Sequence, residues 1–179
     1  MAKWHINPTH SSAAFEVRHM MVSWVHGLFG SVKGTIDFDP LKLEQAAVQA
    51  EIDAASINTG VEQRDGHLKS ADFLEVEKYP GITFKSTRVE PDGLDRALVH
   101  GDLTIRGVTR PVVLQAKWAG PSRFDDDGKI YTSFGFRAKT RINREDFGMV
   151  FNMPMEHGGF MVGRQVHLTL NAEVDLVEE

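Results

Sequence analysis

Residues 166–176 read VHLTLNAEVDL, eleven positions that alternate without a break. Val166, Leu168, Leu170, Ala172, Val174 and Leu176 fall on one side. His167, Thr169, Asn171, Glu173 and Asp175 fall on the other. Period two is the spacing of a strand, whose successive side chains point to opposite faces. A strand with one oily and one wet face belongs in an antiparallel sheet covered on one side only.

The same rhythm recurs towards the N-terminus. Thr132, Phe134, Phe136 and Ala138 alternate with Ser133, Gly135 and Arg137. Val112, Leu114, Ala116 and Trp118 form another run. Ile82, Phe84 and Ser86 make a shorter one, and Val48, Ala50 and Ile52 and then Val32, Gly34, Ile36 and Phe38 add two more. Near the start, Phe15, Val17 and His19 share a face opposite Glu16 and Arg18. Turn chemistry punctuates the runs at Pro91-Asp92-Gly93, Arg106-Gly107-Val108-Thr109 and Asp125-Asp126-Asp127-Gly128. The pattern predicts an all-β fold of about eight antiparallel strands, a number that closes into a small barrel able to hold one ligand. No repeat or linker divides residues 1–179, so one domain is expected.

One stretch breaks the alternation. Residues 64–80 read RDGHLKSADFLEVEKYP. Thr59-Gly60-Val61-Glu62 fits a capping box, Asp65 and Lys69 have the spacing of a supporting ion pair, and Val61, Leu68 and Ala71 mark an inward stripe. These predict a short helix near residues 60–70, with Pro80 barring any continuation. Arg64, Asp65 and His67 admit a catalytic reading in which Asp65 orients His67 as a base and Arg64 holds an oxyanion. Adjacent helical residues point about 100° apart, however, so Arg64 and Asp65 do not share a pocket easily. The favoured expectation is that Arg64 and Asp65 tie the helix to a barrel rim through salt bridges and backbone hydrogen bonds.

Composition narrows the function. The chain has 179 residues, 41% apolar and 25% charged, with a net charge of −5 and no cysteine. The negative balance argues against nucleic acid, and because the basic residues are scattered an anionic membrane surface is not indicated either. Lacking cysteine, the chain has no disulfide, thiolate nucleophile or Cys-type zinc site. Its eight histidines show no metal-ligand spacing, so no metal and no cofactor are expected. No run approaches the roughly 20 apolar residues that span a bilayer. MAKWHINPTHSS holds no signal-peptide core, which predicts a cytoplasmic protein unless a leader has been removed. Nucleotide-binding and hydrolase motifs are missing, and no active site is recognised.

What remains points to an apolar ligand. Phe15, Val17, Phe38, Phe84, Phe134 and Phe136 offer an oily inner wall, while Gly34, Ala50 and Ala138 leave room. Such a mixture makes either a tunnel or a packed core. The segment MVFNMPMEHGGFMV (149–162), with Met153 and Met155, reads either as a loop packed over a barrel end or as a soft wall on a cavity. His19, on the oily face, reads as a core histidine or as a polar contact for a ligand.

Several phrases together resemble one family. WHINPTHSSAAFEVRHMMVSWVHGLFGSVKGTIDFD, INTGVEQRDGHLKSADFLEVEKYPGITFKST, GDLTIRGVTRPVVL and INREDFG, in that order, are similar to the YceI-like proteins across almost the whole chain. The resemblance implies an elongated lipocalin-like barrel with a helix near one end. It further implies a long-chain amphiphile inside, of polyprenyl or quinone type, and it is compatible with a homodimer. The expectation is a non-enzymatic binding, transport or storage protein whose ligand tail lies in the barrel, with His19, Arg64, His67 or Arg144 near its polar head. Its rivals are an enzyme acting on such a lipid, with His19 or His67 as base, and a filled barrel serving as a protein-interaction module.

Overall fold

The structure, a computed structural model, describes residues 2–178. Eleven strands form one continuous sheet. They are β1 (Ala2–Ile6), β2 (Ser12–His19), β3 (Ser23–Phe29), β4 (Val32–Phe38), β5 (Ala47–Asp53), β6 (Ile57–Asn58), β7 (Gly81–Pro91), β8 (Arg96–Ile105), β9 (Val108–Asp126), β10 (Lys129–Asn143) and β11 (Val162–Glu178). Among the described residues there is a single α-helix, α1 (Glu62–Lys69), between β6 and β7.

The pairings reduce the eleven strands to eight walls. β11 pairs antiparallel with β2 along its first half and with β1 near its end, so β1 and β2 run the same way as one bent strand. β1 pairs with β4 and β2 with β3, which makes β3 and β4 a second bent strand. β5 and β6, paired to β4 and β3, are the third. From β7 to β11 each strand pairs with the next, and the β1–β11 ladder (His5 with Asp175, Ile6 with Val174) closes the circle. The result is a closed, antiparallel, up-and-down, lipocalin-like barrel of eight strands.

The tight turns have the chemistry expected of them. Arg106-Gly107 and Asp127-Gly128 both have positive φ at two successive residues, the mirror-image turn whose twist matches paired strands. Oily faces turn inward as the alternation predicts. Val174 is fully buried, and Phe134, Ala138, Leu114, Ile36 and Phe84 are buried too. The lower end is filled by aromatic rings meeting edge to face: Trp4 on Phe134 at 5.1 Å, and Phe38 on Phe134, Phe136 and Trp118 at 5.0–5.4 Å. Such contacts contribute beyond area burial. The Trp4 indole N–H also donates to the Phe38 carbonyl at 3.1 Å.

At the upper end lie α1, the segment 70–80 and a 3₁₀ turn at Arg144–Phe147. Here several expectations need correction. No capping box forms: Val61 is the N-cap and no side chain caps the helix. Thr59 instead donates its N–H (2.9 Å) and its hydroxyl (2.5 Å) to Asp65, which therefore faces Thr59 and not Lys69. Arg64 donates to the Thr59 hydroxyl and carbonyl at 2.8 and 3.0 Å. Arg64 and Asp65 are thus tied by hydrogen bonds to Thr59, just past the end of β6, and among the described residues neither makes a salt bridge. Val61 and Ala71 are exposed; only Leu68 of the expected stripe turns inward. The helix ends at Lys69, well before Pro80. Arg106, from the β8–β9 turn, holds the segment that follows by donating to the Ala71 carbonyl at 2.8 Å and to Glu75 at 3.2 Å.

Candidate functional site: an apolar chamber in the barrel

Between the aromatic floor and the helical end the barrel is hollow, with a cavity of about 250 Å³. Register explains why the side chains do not meet. Ala97 of β8 pairs with Ala116 of β9, Ala116 with Ala138 of β10, Ala138 with Leu170 of β11, and Leu170 with Ala13 of β2. Four of these five neighbouring rungs are alanines, and all five face the cavity. A belt of methyl groups occupies the level where larger residues would have filled the barrel.

Two phenylalanines are also held back from the middle. A Cβ on Gly27 would overlap the Phe15 ring, and one on Gly101 would overlap the Phe84 ring. Each ring lies against the bare backbone of a glycine in the opposing strand, an arrangement that stabilises glycine in a sheet. Gly34 differs from the expectation. Its φ is +154°, and a Cβ there would strike the Gln49 carbonyl, so it serves the backbone path and makes no room in the chamber.

Almost every other lining side chain is a hydrocarbon, and Arg144 is the one ionisable residue among them. It is buried, 2% exposed, at the upper end. Its Nε donates to the Gly163 carbonyl at 2.9 Å, one terminal nitrogen to the Met149 carbonyl, and the other to the Val162 carbonyl at 3.2 Å. Three of its five N–H groups are used, leaving two. No carboxylate lies within ion-pair distance among the described residues, and burial pushes the guanidinium below its usual range. Carbonyl dipoles offset part of the cost of desolvation, while the net positive charge stays at the chamber end.

The residues singled out in the sequence separate into two groups. Phe15, Val17, Phe38, Phe84, Phe136 and Arg144 line the chamber. Phe134 does not: it is buried below the chamber, within the aromatic floor. His19 ends β2 opposite Val162 and is not part of the lining, although Val162 on the same rung is. Met153 and Met155 also lie outside it, on a small hairpin beyond the wall, and only Met149 of that segment's methionines reaches inside. His67 faces Asp72 at 2.8 Å and packs between Phe73 and Phe151 at 5.1 and 4.8 Å. It clasps the helix to the loop outside the chamber, and Arg64 is held by Thr59. Sequence reasoning missed Phe73 and Leu74, which follow α1 and are folded in beneath it as part of the roof. Among the described residues no helix is long and apolar enough to cross a membrane, and no three histidines or acids converge on a metal site.

A closed eight-stranded barrel around an oily chamber defines a lipocalin-like protein. Comparison narrows the class: the profile of the YceI-like domain matches residues 4–174, and the chain belongs to that family. A UPF0312 protein of Staphylococcus aureus is 35% identical over 99% of this chain and all of its own. The crystal structure of the Campylobacter jejuni YceI protein is similar at a TM-score of 0.69 and 31% identity, covering 90% of each chain. A polyisoprenoid-binding domain from Saccharophagus degradans, implicated in plant cell wall breakdown, has the same fold at a TM-score of 0.70 and 16% identity. That match covers 96% of this chain and 97% of the other.

Proposed function

We propose that this protein binds a long, slim amphiphile, an isoprenoid of polyprenyl or quinone type, with the tail in the chamber and an electron-rich head beside Arg144. The alanine belt carries the reading, since it keeps an apolar barrel open along its middle. At about 10–15 Å³ for each water-sized group, 250 Å³ accommodates about twenty methylene-sized groups, or about four isoprene units. Burying them contributes about 16 kcal/mol gross. Micromolar affinity requires about 8 kcal/mol, which leaves the remainder to offset lost freedom and imperfect fit. The polyisoprenoid-binding relative of the same fold supports the ligand class.

The role is one of carrying or sequestering, with no chemistry done on the ligand. In support, Arg144 is the one ionisable side chain facing the chamber, and most of its donors hold backbone carbonyls. The test is native mass spectrometry of the purified protein before and after solvent extraction, followed by addition of geranylgeraniol and a short-chain ubiquinone. Retained or restored adducts of stoichiometry one are expected. An unliganded mass that takes up neither compound overturns the reading.

A further inference from the structure

The β2–β3 hairpin turns through Met20-Met21, with φ of +50° and +61°, closed by the Val22 N–H donating to the His19 carbonyl at 3.1 Å. Such a turn favours Asn-Gly, because side chains are strained in the left-handed region. Here it carries two methionines, followed by Val22; Met21 is 62% and Val22 79% exposed. Beside it, residues 153–161 form a second small hairpin, bridged between Pro154 and Phe160 and closed by the Met161 N–H donating to the Met153 carbonyl at 3.0 Å. The two tips are joined: the Met20 N–H donates to the Met161 carbonyl at 2.8 Å, and the Met21 sulfur lies against Gly159. Together they raise a ledge on which Met20, Met21, Val22, Trp24, Met153 and Phe160 are exposed.

Its place and its side chains both matter. Val162, which pairs with His19 at the root of the ledge, lines the chamber and accepts a hydrogen bond from Arg144. The ledge therefore adjoins the end of the barrel where Arg144 sits. Residues 18–26 and 153–164 carry Arg18, Arg164 and three histidines against Glu156, while Glu145 pairs with Arg164 at 3.1 Å and Glu16 lies 3.6 Å from His26. Arg18 stacks on Trp24 at 4.9 Å and Arg164 on Phe160 at 5.4 Å. Exposed apolar tips ringed by aromatic rings and arginines suit the boundary between headgroups and acyl chains.

We propose that this ledge docks the protein on a phospholipid surface, the methionine and valine tips entering the acyl region and Arg18, beside Trp24, meeting phosphates. It rests on the reading of the chamber as a lipid site only for its purpose, which is to bring the barrel end to the bilayer where such a ligand dissolves. Docking is peripheral and reversible, and it uses no spanning segment.

Trp24 is a built-in reporter, since Trp4 and Trp118 belong to the aromatic floor. The experiment titrates the protein with vesicles of phosphatidylethanolamine and phosphatidylglycerol at three to one, reading a blue shift of tryptophan emission and co-sedimentation. The test variant is Met20→Asn with Met21→Gly. It is expected to weaken vesicle binding at least about tenfold, to raise or preserve the thermal midpoint, and to leave uptake of geranylgeraniol from ethanol unchanged. Light scattering is run on both proteins. Absence of wild-type vesicle binding overturns the proposal, as does binding that the variant retains. A wild-type dimer that the variant splits would make the ledge a contact between two copies and would equally overturn it. Loss of docking with uptake intact leaves the chamber reading standing; loss of uptake with docking intact removes that reading alone.

Discussion

Substituting leucine for Ala138 adds three carbons at the middle of the alanine belt, between Ala116 and Leu170. If the chamber holds a hydrocarbon chain, those carbons displace about three of the roughly twenty it accommodates. At about 0.8 kcal/mol per methylene the bound ligand loses about 2.4 kcal/mol, close to a fiftyfold weakening. The empty protein moves the other way. The new side chain is buried in open apolar space and raises stability by about 1–2 kcal/mol, or roughly 2–8 °C in thermal midpoint for a chain of this size. Isothermal titration with geranylgeraniol and thermal unfolding followed by circular dichroism measure the two effects on one preparation. Were the barrel solid in solution, the extra carbons would overpack it, and the midpoint would fall by the equivalent of about 1–3 kcal/mol. A lowered midpoint together with unchanged affinity refutes the hollow-barrel reasoning.

Arg144→Leu removes the donors that hold the Gly163, Met149 and Val162 carbonyls. A loss of about 2–4 kcal/mol is expected, read as a lowered urea midpoint at constant slope, and an unchanged midpoint would show that those carbonyls find other partners. Thr59→Val removes the hydroxyl that donates to Asp65 and accepts from Arg64. Hydrogen exchange should quicken across residues 60–69 by about tenfold, equivalent to about 1.4 kcal/mol, with β9–β11 unaffected. Uniform quickening would mean that α1 is part of the barrel's global unfolding unit.

What was legible in the sequence follows from what alternation can say. Period two assigns a face, so the inward sets on β10 and β11, including Phe136, Ala138 and Leu170, are read directly. It does not assign a rung. That Ala97, Ala116 and Ala138 lie side by side is a property of register, and register emerges only when the strands are paired. Phe134 and Phe136 share a face yet differ in role, because one lies in the floor and the other borders the chamber above it. His19 continues the oily face of Phe15 and Val17 but falls where β2 ends, so parity alone misplaced it. The breaks that bend three of the walls, at 7–11, 30–31 and 54–56, carry ordinary loop residues and read as strand ends. At α1 the helix was legible from a capping-box spacing, an ion-pair spacing and an apolar stripe, of which only Leu68 of the stripe is realised: Thr59 and Glu62 have the right spacing, but Asp65 is nearer in space and takes the threonine's hydrogen bonds.

The closing ladder has a consequence for how the protein is born. Among the described residues β11 follows every other strand in sequence and bonds both to β10 and to β1 and β2, joining residues as distant as His5 and Asp175. Until residues 162–178 emerge, the nascent chain can curl its hairpins but has no lumen. A ligand of the kind proposed is therefore enclosed only once residues 162–178 are in place, and a chain without them is an open sheet with bare edges along β10 and along β1 and β2.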